Sequence, residues 1–416
     1  MSDVDFHEYA TACDHCDWVN VISPMRAGDQ LHCARCGHTI ITLHPNAASQ
    51  LLSNGCSAAL MFIMSLCFVF LGFSSSGTSQ QITLLDCIYS LMGEHYISLG
   101  IIVTLTLLVL PIVYLTAVIL IALAMRKGRI RRSYYGLLHT LSALQPWLMV
   151  DVFLLGGLVA LVKLHSLADI QLGLSFWAFC AFTILLVRTA SFVDKRWIWY
   201  RLCGPAPEVA VRQASALSQG LKGCQYCGAL VPEQKHKCQR CHHVLHHRKK
   251  GSLGNTLALL MAACALYVPA NLFPIMITTF LGRSEPSTIM GGVILLWGLK
   301  SYLVAMVILV ASILVPVAKI LALFWLCWQT RFHSAGLLQQ KQTQRIYQMT
   351  EFVGRWSMVD VFVVAILSAL VQLGAVMNII PGVAAISFAA VVILTMLAAM
   401  SFDSRLLWDK SEEITI

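Results

Sequence analysis

Long apolar runs separated by polar blocks set the pattern of this chain. Around 55–73, 97–125, 147–165, 172–190, 254–280, 301–328, 356–374 and 382–400 the sequence stays apolar for the roughly 20 residues that a helix needs to cross a bilayer. Eight membrane helices are therefore predicted. The runs 97–125 and 301–328 are longer than a crossing requires, so they should tilt or protrude. The first run fades into the Ser/Gly-rich stretch GFSSSGTS.

Composition agrees with that pattern. Of 416 residues, 58% are hydrophobic and 12% charged, which excludes a water-soluble globular domain. The blocks 1–54, 126–146, 191–253, 329–355 and 401–416 hold 24 of the 29 lysines and arginines, whereas the alternate loops hold only Arg283 and Lys300. Basic loops stay in the cytoplasm, so both termini and the central segment are expected there. No cleavable signal peptide is visible. The net charge of +9 then reflects topology and an anionic leaflet, and no nucleic-acid partner is implied.

Eight of the fifteen cysteines form four CxxC pairs: Cys13 and Cys16, Cys33 and Cys36, Cys224 and Cys227, Cys238 and Cys241. Each pair makes a tight knuckle, and two knuckles close a four-thiolate shell around a tetrahedral ion with no open coordination position. Two structural zinc ions per chain are expected, in rubredoxin-like ribbons. Iron is the competing metal and a redox dithiol the lesser alternative. Disulfides do not suit a reducing cytoplasm. The remaining cysteines lie mostly in apolar runs, where cysteine packs as a small hydrophobe. His242, His243, His246 and His247 invite a second metal site, but a basic, solvated linker is the preferred reading.

The motif W-x-M-V-D-V-F occurs twice, at Trp147–Phe153 and Trp356–Phe362, 209 residues apart. The same offset carries Asp194, Arg196 and Trp199 onto Asp403, Arg405 and Trp408. A duplication follows. The predicted fold is an all-α polytopic membrane protein of about eight helices in two parallel four-helix repeats, each preceded by a small cytosolic ribbon. The expected boundaries are 1–48 and 201–250 for the ribbons, 49–200 and 251–410 for the repeats, and 411–416 for a tail. Four helices per repeat preserve orientation, so the pseudo-two-fold should run along the membrane normal.

The segments ILLWGLKSYLVA, ASILVPVAK, EFVGRWSMVDVFV and FDSRLLWD, together with two cytosolic ribbons, resemble the paraquat-inducible protein A family over residues 13–409. The resemblance implies a non-enzymatic component of the bacterial inner membrane. It would pass phospholipid to or from a periplasm-spanning tunnel protein built of mammalian-cell-entry (MCE) domains. The chain departs from many relatives in one place: LYVPANLFPIM in the second half has no Asn-Leu-Phe-Pro counterpart in the first, which reads LCFVFLGFSSS.

Polar residues within the apolar runs are the candidates for a lipid pathway, because a charge at the bilayer centre costs about 2.5–3.5 kcal/mol on insertion scales. Lys319 lies well inside its run, with Ser312 seven positions earlier on about the same face and Pro316, a kink-former, between them. Snorkelling is the competing account of Lys319. Lys163, near the outer end of its helix, is an even contest between the two. Asp151 and Asp360 follow interfacial tryptophans, where a carboxylate complements the helix dipole; pairing with a cation or a proton-linked switch is the other reading. Asn271, between Pro269 and Pro274, marks a broken helix, as a substrate-handling site or a simple kink. Ser357 and Thr395 complete the set. No P-loop, GxSxG or HExxH motif is present, so lipid transport is favoured, with a membrane-bound redox or metal-responsive sensor as the alternative function.

Overall fold

A computed structural model describes residues 9–23, 25–26, 28–75, 78–93, 97–127, 133–165, 169–207, 209–280, 283–298, 300, 302–332, 337–370 and 377–409. The first ribbon contains β1 (Tyr9–Ala12), β2 (Val19–Ile22), β3 (Gln30–His32) and β4 (Thr39–Thr42). The first membrane half follows with α1 (Ala47–Cys67), β5 (Leu71–Ser75), β6 (Thr78–Ile82), α2 (Leu84–Gly93), α3 (Ile97–Thr104), α4 (Leu110–Lys127), α5 (Ser133–Leu144), α6 (Val150–His165), β7 (Asp169–Leu172), α7 (Leu174–Phe192) and α8 (Lys195–Cys203). After the second ribbon, with β8 (Leu221–Gly223) and β9 (Leu230–Pro232), the same order recurs. It comprises α9 (Ser252–Leu272), β10 (Met276–Phe280), β11 (Arg283–Ser287), α10 (Ile289–Gly298), α11 (Tyr302–Leu309), α12 (Val315–Phe332), α13 (Leu337–Trp356), α14 (Val359–Leu370), β12 (Met377–Pro381), α15 (Val383–Ser401) and α16 (Leu406–Asp409).

The duplication extends to local irregularities. A π-turn joins α3 to α4 over Leu105–Val109, and another joins α11 to α12 over Val310–Leu314. Each is followed closely by a proline, Pro111 or Pro316, whose missing N–H removes one i to i−4 bond. The ladder widens to i+5 there, with the Val315 amide donating to the Val310 carbonyl.

Among the described residues, seven helical stretches are long and apolar enough to cross a membrane. The eighth expected helix, over 356–374, is represented by the 12 residues of α14, and its continuation at 371–376 lies outside the described residues. The all-α expectation needs correction. Each half carries a three-stranded antiparallel sheet, in the order β6-β5-β7 and β11-β10-β12. Leu71 pairs with both Ile82 and Leu172, and Met276 with both Ser287 and Pro381. Strands of 4 or 5 residues are too short for a local pattern, and their third member arrives from far along the chain, so sequence periodicity misses them.

The two copies of the repeated motif meet. Phe153 in α6 and Phe362 in α14 stack edge to face with centroids 5.4 Å apart, and a Cβ on Gly156 would stand 3.0 Å from the Phe362 Cβ. Contact between a residue and its own repeat copy places the pseudo-two-fold between these helices. The motif is written twice because its two copies build one self-complementary interface.

Candidate metal centres and cleft between the halves

The eight CxxC cysteines form two clusters in which all four Sγ atoms lie within 4.8 Å of one another. The four knuckles share one backbone design. The amides of Asp17, Gly37, Gly228 and His242 donate to the carbonyls of Cys13, Cys33, Cys224 and Cys238 at 2.9–3.0 Å. All four of these donor residues have positive φ, from 58° to 74°. Such turns leave two thiols projecting to the same side.

The donor set fits a tetrahedral ion. Cys13 and Cys36 approach to 3.6 Å, and Cys16–Cys33, Cys224–Cys241 and Cys227–Cys238 to 3.5 Å. These separations are far beyond an S–S bond and close to the ~3.8 Å edge of a tetrahedron with metal–sulfur bonds of about 2.3 Å. Each cluster could bind a metal ion. Such an ion, when bound, supplies cross-linking rather than reactivity, since the four thiolates complete its shell. Of the four linker histidines, His242 is a knuckle residue, His243 packs on Tyr226 at 4.2 Å, and His247 contacts Glu233 at 2.8 Å. They form no metal cluster among the described residues.

Each ribbon turns its metal-binding side to the opposite membrane half. His15, inside the first knuckle, lies 4.0 Å from His38 and 6.5 Å from Tyr347 of α13. Tyr226, at the equivalent place in the second ribbon, lies 4.2 Å from His243 and 4.4 Å from His139 of α5. Arg35 of the first ribbon sits 4.8 Å over the Trp408 ring. The other side of each ribbon is fastened to its own half: Asp194 accepts from the Thr42 amide at 2.7 Å, and Asp403 from the Lys249 amide at 3.0 Å. The D-x-R sequences thus anchor ribbons. Arg196 donates to the Ala12 carbonyl and pairs with Asp14 at 3.0 Å, whereas Arg405 pairs with Asp403. Sequence reasoning finds the D-x-R repeat but not this role, since nothing local to it names a distant partner.

Below the first ribbon an open cleft of about 820 Å³ runs between the halves. Ribbon residues Gly37 and His38 line one wall, the α5 end and Lys195 another, and α12, α13 and α15 the rest. Lys319 reaches it from α12. The residue is 4% exposed, its Nζ has no hydrogen-bond partner among the described residues, and it lies against Gly354 of α13, where a Cβ would stand 2.6 Å from the ammonium. His15 and His38 are held below the usual histidine range by burial, His38 at about 4, so both rings are neutral near pH 7. The charge of the cleft comes from Lys195, Lys319 and Arg345 against Glu351.

Among the described residues, no other candidate lines this cleft. Ser312, expected on the face of Lys319, instead borders a separate apolar cavity of about 40 Å³ between α10, α11 and α14. It donates to the Ile308 carbonyl at 2.6 Å, and the π-turn rotates it away from a simple i, i+7 alignment. Pro316 is buried in α12. Asn271 lies in the last turn of α9, before β10: its side-chain amide donates to the Tyr267 carbonyl at 2.9 Å, and the Tyr267 hydroxyl reaches the Ile313 carbonyl of the π-turn at 3.5 Å. Ser357 is 1% exposed with an unpartnered hydroxyl, one helical turn beyond Gly354. Thr395 bonds the Val392 carbonyl at 3.0 Å, next to the cleft residue Met396. Asp151 occupies the first turn of α6 and makes no ion pair with a described residue. The side chains of Lys163 and Asp360 lie outside the described residues.

The family model for paraquat-inducible protein A matches twice, at residues 49–203 and 253–412. The chain is 40% identical to Intermembrane transport protein PqiA of Escherichia coli (strain K12), with 96% of each chain covered. It is 31% identical to Lipophilic envelope-spanning tunnel protein A of the same strain, over 96% of this chain and 91% of that one. It is also 30% identical to Probable intermembrane transport protein of Haemophilus influenzae, over 96% and 94%. No solved structure matches. A doubled helical core with two four-cysteine clusters, matched along almost its whole length, belongs to the paraquat-inducible protein A family.

Proposed function

We propose that this chain is the inner-membrane subunit of an intermembrane lipid transport system. It passes phospholipid to or from a periplasmic partner built of MCE domains, without chemical catalysis. The observation that carries this reading is Lys319, a buried cation with no hydrogen-bond partner among the described residues, opening on a cleft between two membrane halves. A persistent charge at such depth needs protein, water or a ligand to offset it. The names of the relatives support transport between membranes. In this reading Ser357, Thr395, Asn271, Ser312, Pro316, Lys163, Asp151 and Asp360 flank the lipid route, and the ribbons at 1–48 and 201–250 each hold one zinc ion on the cytoplasmic side. The sensor alternative is disfavoured by knuckles whose thiols are nearly all buried. Metal content and absorbance separate the two, because zinc is colourless and rubredoxin-type iron is not.

Replacing Lys319 tests the function. Lys319→Ala removes complementation of an envelope-defect phenotype while leaving membrane levels intact, because deleting a charge eases insertion. Lys319→Arg gives intermediate activity, since it keeps charge but alters size and donor geometry. Full activity of the Ala variant returns Lys319 to snorkelling.

A further inference from the structure

The cleft has a second feature that the transport reading leaves unused, namely an entrance. Helix α13 borders it. Its buried face is polar: Gln340, Thr343, Gln344, Tyr347 and Thr350 are all at most 8% exposed. Its outward face is polar at first, through Gln339, Lys341, Gln342 and Arg345, and then carries an apolar stripe, with Met349 68% and Phe352 57% exposed beside Ile346, Val353 and Trp356. A helix on a water-facing surface shows the reverse, and an apolar stripe of this kind marks contact with lipid or with another protein. Three points favour lipid. Helix α13 directly follows α12, a membrane-crossing stretch ending in exposed Trp328 and Phe332, as at an aromatic interface belt. Basic side chains, Arg331, Lys341 and Arg345, accompany the stripe, and these suit an anionic leaflet. Phe352 belongs both to the exposed stripe and to the lining of the cleft, so the cleft opens at the point where lipid lies.

The cleft sets three cations against one carboxylate, Glu351, which leaves it with an excess of positive charge. Lys195, Lys319 and Arg345 converge on it from α8, α12 and α13. None of the three makes an ion pair or a side-chain hydrogen bond with a described residue. Lys319 is buried at the base, whereas Arg345 is exposed at the rim.

We propose that this cleft is a binding site for the phosphate headgroup of a lipid from the cytoplasmic leaflet, which enters sideways over Phe352 while its acyl chains stay against the apolar face of α13. Arg345 and Lys195 meet the phosphate at the entrance, and Lys319 holds it at the base. The ribbon supplies the roof through Gly37 and His38. This deepens the lipid-transport reading and rests on it for the fate of the lipid, though not for its binding.

The test uses the full chain in its own membrane. A photo-crosslinking residue is placed at Gln348, which lines the cleft, and separately at Met349, which faces outward, in cells whose phospholipids carry radioactive phosphate. Both positions should yield lipid adducts. With Lys195→Ala and Arg345→Ala together, the Gln348 adduct should fall by about tenfold or more, as expected for lost charge-assisted contacts, while the Met349 adduct is unchanged. Lys195→Arg with Arg345→Lys should restore it. If the double Ala variant fails to accumulate, Arg345→Gln alone, at an exposed position, should still lower the Gln348 adduct several-fold. Excess inorganic phosphate should not compete; competition would make the ligand a free phosphate and overturn the lipid source. No adduct at Gln348, or one that falls equally at both positions, overturns the site. A Gln348 adduct that persists in a chain shown not to move lipid would remove the transport reading and leave the headgroup site standing.

Discussion

His242 shows how much a single residue can hide. It looks like one of four metal-seeking histidines, yet its φ of 58° makes it the turn residue of the fourth knuckle, equivalent to Asp17, Gly37 and Gly228. The cysteines are legible because C-x-x-C spacing is itself the geometry of a thiolate pair. The left-handed residue after each pair is not, since Asp and His carry no sign of it. Gly228 is the strictest of the four: a Cβ there would meet the Thr11 Oγ1 at 2.9 Å and the Arg196 Nε at 3.3 Å, and a branched residue at positive φ adds about 1–2 kcal/mol of strain. Gly228→Val should therefore release one of two bound metal ions to a chelator that leaves the wild-type protein loaded, as measured by metal content after desalting. Cys13→Ser and Cys224→Ser should each carry about one ion per chain without any challenge, because ribbon folding is coupled to metal. Lys319 is legible for a different reason: a charge inside an apolar run is costly wherever it points. Where it points is set by Gly354, on a helix whose composition resembles a loop.

That helix, α13, is the clearest case at the scale of elements. Residues 329–355 look like a basic cytoplasmic block because charge and glutamine dominate their average composition. The spacing of Gln340, Thr343, Gln344 and Tyr347 is nevertheless helical, and their burial shows that polarity there points inward. The strands β5 to β7 and β10 to β12 escape the sequence because pairing with a distant strand leaves no local mark. Two glycines fix how those sheets meet the last helix of each half. At Gly173 a Cβ would stand 1.9 Å from the Val69 carbonyl oxygen, and at its repeat copy Gly382, 2.0 Å from that of Pro274. Both precede a helix with extended backbone, so the demand is for space rather than for unusual φ. Gly382→Ala should lower the melting temperature in detergent markedly, with a cost of about 2 kcal/mol or more for forced backbone movement. Gly292→Ala is the control. It sits within α10, with open space for 4 Å around the place a Cβ would take, and should be neutral or stabilising by up to about 1 kcal/mol.

At the scale of the whole molecule, duplication and charge asymmetry are legible, whereas the way the halves are fastened is not, because it consists of contacts between residues far apart in the sequence, such as His139 with Tyr226 and His15 with Gln344. The orientation itself is testable. A cysteine at the exposed Ser284, in β11, should react with an impermeant maleimide in intact cells, and one at the exposed Ser218, beside the second ribbon, should not; a reactive Ser218 site would reverse the topology. The fastening makes a sharper prediction. The first ribbon's metal-binding side lies on α13 and Trp408 of the second half, through His15, Arg35 and Gln344. The second ribbon's lies on α5 of the first half, through Tyr226 and His243. Arg248 ties both ribbons' surroundings to the chain's end, bonding Asp17 at 3.0 Å and Asp409 at 2.5 Å. Loss of metal from one ribbon should thus loosen the opposite half first. Cys327, in α12 and 4% exposed, shares a hydrophobic cluster with Cys13, Cys33 and Trp408. Cys203, at the end of α8, lies 3.6 Å from the Tyr135 hydroxyl under the second ribbon. Peptide-resolved thiol labelling of purified protein should show Cys327 several-fold more reactive in Cys13→Ser and Cys203 more reactive in Cys224→Ser, as local opening follows lost packing. If each variant instead exposed the cysteine of the half that follows its own ribbon in sequence, the fastening would be within halves rather than between them, and the ribbons would stabilise each repeat alone.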